Sequence, residues 1–585
     1  MDALMLSFSG GFMMRRQLRR RASLAVVMAV VIGLLLASGA RYGPEQSQPA
    51  VKETATAVID SGDVDGPHAP VDRVPAHTTV ELSDGAVVRD FDLGDVELGP
   101  QSNPGAFRAP VRGVLVTPDT EAQSAPLVIF SHLRTFGCAD DTFGYPCARG
   151  VEEIRADRGM TYFGKALAAQ GYAVLIPDLS PLWSGAELSA PYDQVAGWLA
   201  TVGRMREEAI AASAGRDSVL GEGLTGAVDA SRTALIMHSR SAGIANAAVE
   251  SWRESASPIT SLMSYGGDYG VPDGPEADFA APAPAYVPLL AVDGDADRDV
   301  KQAGPMWLAE HIGQPRSAPA ISVRLPGYGH NYINRALSER GFDDRVLDEG
   351  MEAPKAADHE RMLTDVAVQW LAQTVRGETG AIPTSSMAEL PEQLVGIPAR
   401  WLIAPGVERV SWTASGDAAD APALTALNGG SVTTCRTYAD MDPNQYSDRC
   451  PYPEVGVLSS RSFTAAVTLT DGGGGHLDTD AHDVQSLAVH LAPTGDRADG
   501  LTHTPLRVVV TAADGSRYVL EPSGRLEALR NLARVDANGD YTLATIRFVL
   551  PEEAASTHVV GVDLTGGPAG GNISVRGVDL VTAGR

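Results

Sequence analysis

The sequence predicts a two-part chain: an α/β region on a mostly parallel, doubly wound sheet, then an all-β sandwich or jelly roll. Two observations carry this. From Pro126 to about Gly377, short and continuously apolar runs alternate with helical patterns, as parallel strands buried on both faces do. After about Ala381 the helical patterns cease, and Thr, Val, Gly and Asp-rich segments follow one another between turn signals such as DGS, ANGD and TGG. A chain of 585 residues, 44% of them hydrophobic, is long enough for two folded units plus tails.

The elements follow in order. Residues 1–40 read as an export signal: Arg15, Arg16 and Arg19 to Arg21 precede an apolar run from Leu24 to Leu36 and then the small residues Ala37 to Ala40, so cleavage is expected after Ala40. The competing reading is an uncleaved anchor, because the uncharged stretch Ala22 to Ala40 approaches the roughly 20 residues that span a bilayer. Arg20-Arg21 weakly resembles a twin-arginine signal. Residues 41–75, rich in Pro, Gly, Ser and acids without apolar periodicity, read as a disordered linker.

The α/β region is expected over 76–380. TTVEL, GAVVRDFDL and VRGVLVTP lead in as antiparallel strands; PLVIFS, YAVLIP, RTALIM, SLMSY, VPLLAVD and AISVRLP then alternate with helices. The segment from Ser180 to about Val228 is a candidate cap, with Trp183 and Trp198 either lining it or, the preferred reading, buried in the core. The all-β region is expected over 381–585.

Charge narrows the partners. With 73 acidic against 46 basic residues the net charge is -27, which repels nucleic-acid phosphates and anionic lipid. Membrane contact is expected only through an uncleaved anchor. The four cysteines form two local pairs, Cys138 with Cys147 and Cys435 with Cys450, which an exported protein oxidises to short-loop disulfides. No zinc-type spacing accompanies them, and neither a Walker loop nor G-x-G-x-x-G follows a strand, so no metal or organic cofactor is expected.

The chemistry concentrates in R-T-A-L-I-M-H-S-R-S-A-G, a strand running through a sharp turn into a helix. Such a turn lifts a serine hydroxyl into a cleft and turns N–H groups toward a developing oxyanion. Ser239 sits at the strand end, whereas Ser241 better satisfies small-x-Ser-x-Gly. G-D-A-D after VPLLAVD supplies an acid, Asp297 or Asp295. G-Y-G-H-N after AISVRLP supplies His330. The chain order Ser, Asp, His is that of a serine-hydrolase triad, in which His takes and returns the serine proton and the acid fixes its tautomer. Backbone donors for the oxyanion are expected at Arg240 and at Leu133 or Arg134, after strand PLVIFS.

Arg232 to Ala248 resembles the R-V-G-L-M-G-H-S-R-G-G-E-G pattern of large secreted bacterial α/β-hydrolases of the dienelactone hydrolase, chlorophyllase and polyester-hydrolase branch. Met237 replaces a glycine, Ser241 and Ala242 replace Gly-Gly, and Gly243 replaces Glu. Cys138 with Y-P-C at Tyr145 to Cys147, D-G-D at Asp293 to Asp295, and G-H-N-Y-I-N at Gly329 to Asn334 fit the same pattern. The resemblance covers about residues 105–375. It implies an α/β-hydrolase fold, ester cleavage on a small-molecule or polymer substrate, and Ser239 as nucleophile. The family's D-G-D points to Asp295 and the general G-x-x-D loop to Asp297, which is preferred.

Two other functions compete: a serine peptidase of the same fold, and a degenerate hydrolase scaffold that binds a surface or polymer through its β-sandwich. In the all-β region DTDAHD (Asp478 to Asp483) and DANGD (Asp536 to Asp540) offer oxygen ligands for Ca²⁺, although Asn538-Gly539 is also what a tight hairpin demands.

Overall fold

The computed structural model describes residues 76–98, 107–119, 124–184, 193–270, 280–300, 303–345, 347, 353–384, 390–415, 423–436, 463–494, 504–520, 522, 527–529 and 543–582. The expected export signal, linker and DANGD segment lie outside the described residues. The chain enters through antiparallel strands β1 (His77–Ser83), β2 (Ala86–Leu98) and β3 (Phe107–Pro118). The six apolar runs become β4 (Ala125–Ser131), β5 (Ala173–Pro177), β6 (Val228–His238), β7 (Ile259–Tyr265), β8 (Leu289–Gly294) and β9 (Ala320–Leu325). Their sheet order is β3-β5-β4-β6-β7-β8-β9, with every pair from β5 to β9 parallel.

Continuous burial explains the continuous apolarity. Along β4, Leu127 and Ile129 join the core on one face while Val128 and Phe130 join that on the other, as a period of two demands. Helices α1 (Thr161–Ala169) and α7 (Ala356–Val375) cover the second face through Phe163, Leu363 and Trp370. Helices α3 (Gln194–Ser213), α4 (Ala245–Trp252) and α5 (Ala303–Leu308) cover the first through Trp198, Val249 and Trp307. Two short helices, α2 (Ser180–Ser184) and α6 (Arg335–Ser338), complete this region. Trp183 and Trp198 are both core residues: Trp198 stacks on Trp252 at 5.4 Å, and its Nε1 donates to Ser131 Oγ at 2.9 Å.

The first sheet does not stop where the composition changes. After a small hairpin, β10 (Gln393–Leu394) and β11 (Ile397–Pro398), strand β12 (Arg400–Ala404) pairs antiparallel with β9, so the boundary expected at 380 is crossed by a ten-stranded sheet. The cause is R-W-L-I-A, a fully buried run whose Leu402 enters one core and Trp401 the other.

The remaining strands are β13 (Arg409–Thr413), β14 (Thr425–Leu427), β15 (Ser431–Arg436), β16 (Phe463–Leu469), β17 (Gly474–Pro493), β18 (Arg507–Ala512), β19 (Arg517–Leu520), β20 (Ala544–Val549), β21 (Thr557–Thr565) and β22 (Gly571–Thr582). They form a second ten-stranded sheet, an all-β region with its own core. The 20-residue β17 organises it by changing partners: its first part pairs with β14 and β21, its last with β20 and β22. Arg576 Nε donates to Ala309 O at 3.1 Å and Ile403 N to Thr545 Oγ1 at 2.9 Å, tying the second sheet to the α/β region. Among the described residues no helix is long and apolar enough to cross a membrane.

Trp198→Ala removes a fully buried ring and is expected to cost about 3–5 kcal/mol, with Trp198→Phe costing less; denaturant unfolding of the two variants beside wild type measures both.

Candidate active site

Strand β6 ends in a run of buried residues, Ala234 to His238, and the chain then turns sharply at Ser239, whose φ is +56°. A left-handed conformation is unfavourable for any residue with a Cβ, so the surrounding packing must hold it. It does: Asp268 N donates to Ser239 O at 2.9 Å, and a six-residue 3₁₀ segment, Ser239–Ile244, leads directly into α4. Met237, where the resembled pattern has glycine, packs into the core.

The competing serine is occupied elsewhere. Ser241 is fully buried; its Oγ donates to His132 O at 2.6 Å and accepts from Ser131 Oγ at 2.8 Å. Ser239 retains 6% exposure. Ser241 therefore ties the turn to the loop after β4, and the same His132 carbonyl accepts Trp183 Nε1 at 3.3 Å. His132 is itself fixed, donating from Nδ1 to Leu133 O at 2.7 Å and accepting Leu179 N on Nε2 at 2.8 Å. Leu133 is thus buried on a braced loop. The Arg134 guanidinium lies over the Phe143 ring, and Arg240 Nε donates to Gln194 Oε1 at 2.9 Å.

The loops after β8 and β9 bring Asp297 and His330 together in a buried pair, Nδ1 donating to Oδ2 at 2.8 Å. Asp295 is turned away: its Oδ1 accepts Gly327 N at 2.6 Å and braces the β9 loop instead. Asp297 Oδ1 accepts the backbone N–H groups of Asp299 and Val300 at 2.8 and 3.0 Å, so the carboxylate is anchored while its other oxygen holds the imidazole. His330 Nε2 is buried without a hydrogen-bond partner; the exposed Asp299 carboxylate lies 3.3 Å away, off the line of a hydrogen bond. His238, next to Ser239, sets its ring 4.8 Å from that of His330 and donates from Nε2 to His330 O at 3.1 Å.

The electrostatics follow from burial and three carboxylates. Burial opposes charge on His330, but Asp297, then Asp299 and Asp344, outweigh it and push its pKa up to about 9. His238 goes the other way: burial and the nearby His330 hold it neutral, well below the usual histidine range. Asp293, buried beneath and beside Asp297, is pushed up to about 7.

Three contributors have no motif to announce them. The Asp344 carboxylate accepts both His330 N and Asn331 N, at 2.9 and 3.0 Å, and so fixes the histidine loop. Tyr265 Oη donates to Gly329 O at 2.6 Å. Gly266, with φ +49°, backs directly onto the pair: a Cβ there would fall 2.8 Å from His330 Nδ1 and 3.0 Å from Asp297 Oδ2. Only Gly266 left a trace in the sequence, as the first glycine of Y-G-G-D at a strand end. Nearby, Cys138 and Cys147 are joined by a disulfide as expected; Cys435 is buried in β15, while Cys450 lies outside the described residues.

No protein-family model matches the chain, and no curated protein matches it. Among solved structures it is similar to a dienelactone hydrolase-like promiscuous phosphotriesterase from metagenomic libraries, at 15% identity over 49% of this chain and 99% of that one, with a TM-score of 0.26. An esterase of Pyrobaculum calidifontis is similar at 12% identity over 48% of this chain and 85% of that one, TM-score 0.28. The xylan-binding domain CBM22-1 of Paenibacillus barcinonensis Xyn10C is similar at 10% identity over 30% of this chain and 97% of that one, TM-score 0.19.

Gly266→Ala must place a methyl group against the Asp297–His330 pair and hold alanine at positive φ, at about 1–2 kcal/mol for the conformation alone. The expected result is a lower unfolding midpoint together with loss of the low-field proton NMR signal of the carboxylate-bound His330 Nδ1–H; persistence of that signal would show that the pair does not depend on the glycine.

Proposed function

We propose that this chain is an exported serine hydrolase of the α/β-hydrolase type that cleaves carboxylic esters through an acyl-enzyme, with Ser239 as nucleophile, His330 as base and Asp297 as the acid that orients it. The observation that carries this reading is the buried Asp297–His330 hydrogen bond, which leaves Nε2 without a hydrogen-bond partner beside the turn that presents Ser239.

In this scheme Ser239 Oγ attacks the ester carbonyl carbon as His330 Nε2 takes its proton, and Asp297 stabilises the imidazolium that results. The oxyanion of the tetrahedral intermediate accepts the backbone N–H of Arg240 and one from Leu133 or Arg134. Collapse breaks the bond to the alcohol oxygen, which leaves with the proton from Nε2. A water molecule, deprotonated by the same nitrogen, then attacks the acyl carbon, and release of the acid regenerates Ser239. Ser239 and His330 are not hydrogen-bonded to each other, a looseness common before substrate binds. Ser241, committed on both sides of its hydroxyl, has a bracing role.

Export belongs to the same proposal. The Arg15 to Ala40 segment and the Cys138–Cys147 disulfide support it. N-terminal sequencing of protein from the culture medium is expected to begin at Arg41; full-length chain retained in the membrane fraction would favour the anchor.

Activity is tested with p-nitrophenyl esters of graded acyl length. Ser239→Ala and His330→Ala are expected to lose about 10⁴-fold or more in kcat, whereas Ser241→Ala retains turnover. A well-folded wild type silent on every ester would leave the degenerate-scaffold reading. Activity lost selectively in Ser241→Ala would move the nucleophile by two residues.

The base must be neutral to act. With the His330 pKa raised to about 9, kcat/KM is expected to climb as pH rises through the alkaline range. Asp299→Asn removes one of the carboxylates that favour the imidazolium, so the rising limb of the profile moves to lower pH. An unmoved limb would show that Asp299 does not act on the titrating group.

A further inference from the structure

We propose that Asp480, His482 and His558 form a binding site for one transition-metal cation of the Zn²⁺ class on the exposed surface of the all-β region. The donor atoms of the three side chains all lie within 4.8 Å of one another. Both imidazoles converge on one oxygen: His558 Nε2 is 2.6 Å and His482 Nε2 3.6 Å from Asp480 Oδ1. Four-coordinate zinc with bonds of about 2.0–2.2 Å sets its ligand atoms roughly 3.3–3.6 Å apart. The Asp480–His558 contact must open to reach that spacing, and Asp480 is 82% exposed.

The backbone is shaped for this convergence. Asp480 and His482, two apart on β17, belong to the side-chain set of one face. The ladder between β17 and β21 slips twice at this place, between Asp478 and Ala481 and again between Ala481 and Val484, and Asp483 takes a φ of +54°. Bulges re-aim side chains that a regular ladder would hold apart. His558 comes from β21, beside Val559, the partner of Ala481.

An ordinary Asp–His hydrogen bond accounts for only half of the arrangement. It satisfies His558, but the second ring stops at 3.6 Å, beyond hydrogen-bond distance, and stacks on the first with centroids 3.8 Å apart and planes inclined at 22°. A cation binds both Nε2 atoms and the carboxylate oxygen at once when the rings turn out of this stack, a rotation open to His482, which is 61% exposed. His476, on the same strand, shows the contrasting case: Asp563 and Asp478 hydrogen-bond its two ring nitrogens at 2.6 and 3.1 Å and, against partial burial, raise its pKa, so it is a finished ion pair. Two imidazole nitrogens and one carboxylate select Zn²⁺, or Ni²⁺ and Cu²⁺, over Ca²⁺, which takes six to eight oxygens. The Ca²⁺ reading of DTDAHD accordingly gives way to a site that borrows its third ligand from a strand 78 residues further on.

The test is calorimetric titration of ZnCl₂ into the chelator-treated full chain, beside His482→Ala, His558→Ala and the double variant, with thermal unfolding in the absence of metal as the check on folding. Wild type is expected to bind one Zn²⁺ at this site and to unfold at higher temperature with metal present. Each single variant should bind at least about tenfold more weakly, since loss of a mere outer-sphere partner already costs about 10–100-fold, while excess CaCl₂ leaves the wild-type isotherm unchanged. An isotherm identical in wild type and the normally folded double variant, or no Zn²⁺ binding by wild type, overturns the proposal. Neither outcome depends on ester turnover.

Discussion

A carboxylate and an imidazole buried against each other are the constraint around which the loops after β8 and β9 are arranged. Taking either from water costs several kcal/mol unless every remaining lone pair and proton is satisfied. The surroundings of Asp297 and His330 meet that demand almost atom by atom. Backbone N–H groups of Asp299 and Val300 complete one carboxylate oxygen, His330 Nδ1 completes the other, and Asp344 receives the N–H of His330 itself. Gly266 exists at its position because no Cβ fits beside the pair. Within the pair itself, what remains without a hydrogen bond is His330 Nε2, and a nitrogen so left is what a proton-transfer group requires.

The turn at Ser239 shows how two apparent losses are absorbed. The pattern that Arg232 to Ala248 resembles has glycine at 237, 241 and 242, where small residues relieve crowding around a strained serine. Met237 avoids the crowding by sending its flexible side chain into the core, a use to which thioether chains are suited. Ser241 converts the lost glycine into a clamp, bonding the turn to Ser131 and the His132 carbonyl. The strain at Ser239 is then held by the β6 core below, the Asp268 N–H on one side and the Ser241 clamp on the other. The clamp also reaches the loop carrying Leu133, so the serine turn and the expected oxyanion loop are set relative to each other by one hydroxyl.

Legibility in the sequence followed the range of the interactions. The parallel strands could be read because two-faced burial writes itself as unbroken apolar runs, and the neighbourhood of Asp297 and His330 could be anticipated because successive strand ends in this topology lie at one edge of the sheet. The sheet's extension to Arg400–Ala404 could not, because a five-residue strand that opens on an arginine just beyond Pro398 has no helix directly before it to mark it as part of the α/β region. The choice between Asp295 and Asp297 depended on which way two adjacent carboxylates turn, a matter of loop conformation that residue types do not encode. Asp344 and His558 were invisible for the same reason: each acts on a residue brought near only by folding.

On the proposed mechanism, the three acids around His330 pull its chemistry in two directions. Raising the pKa to about 9 leaves the neutral imidazole a minor species at pH 7, which slows the first proton transfer. The same carboxylates stabilise the imidazolium that accompanies the tetrahedral intermediate, and a stronger base takes the serine proton more readily once neutral. Asp297 cannot be spared, since it fixes the ring. Asp344 touches the backbone and is partly committed there. Asp299 is different: it is 61% exposed and lies 3.3 Å from Nε2 without a hydrogen bond to it, so of the three carboxylates it is the one that solvent screens most.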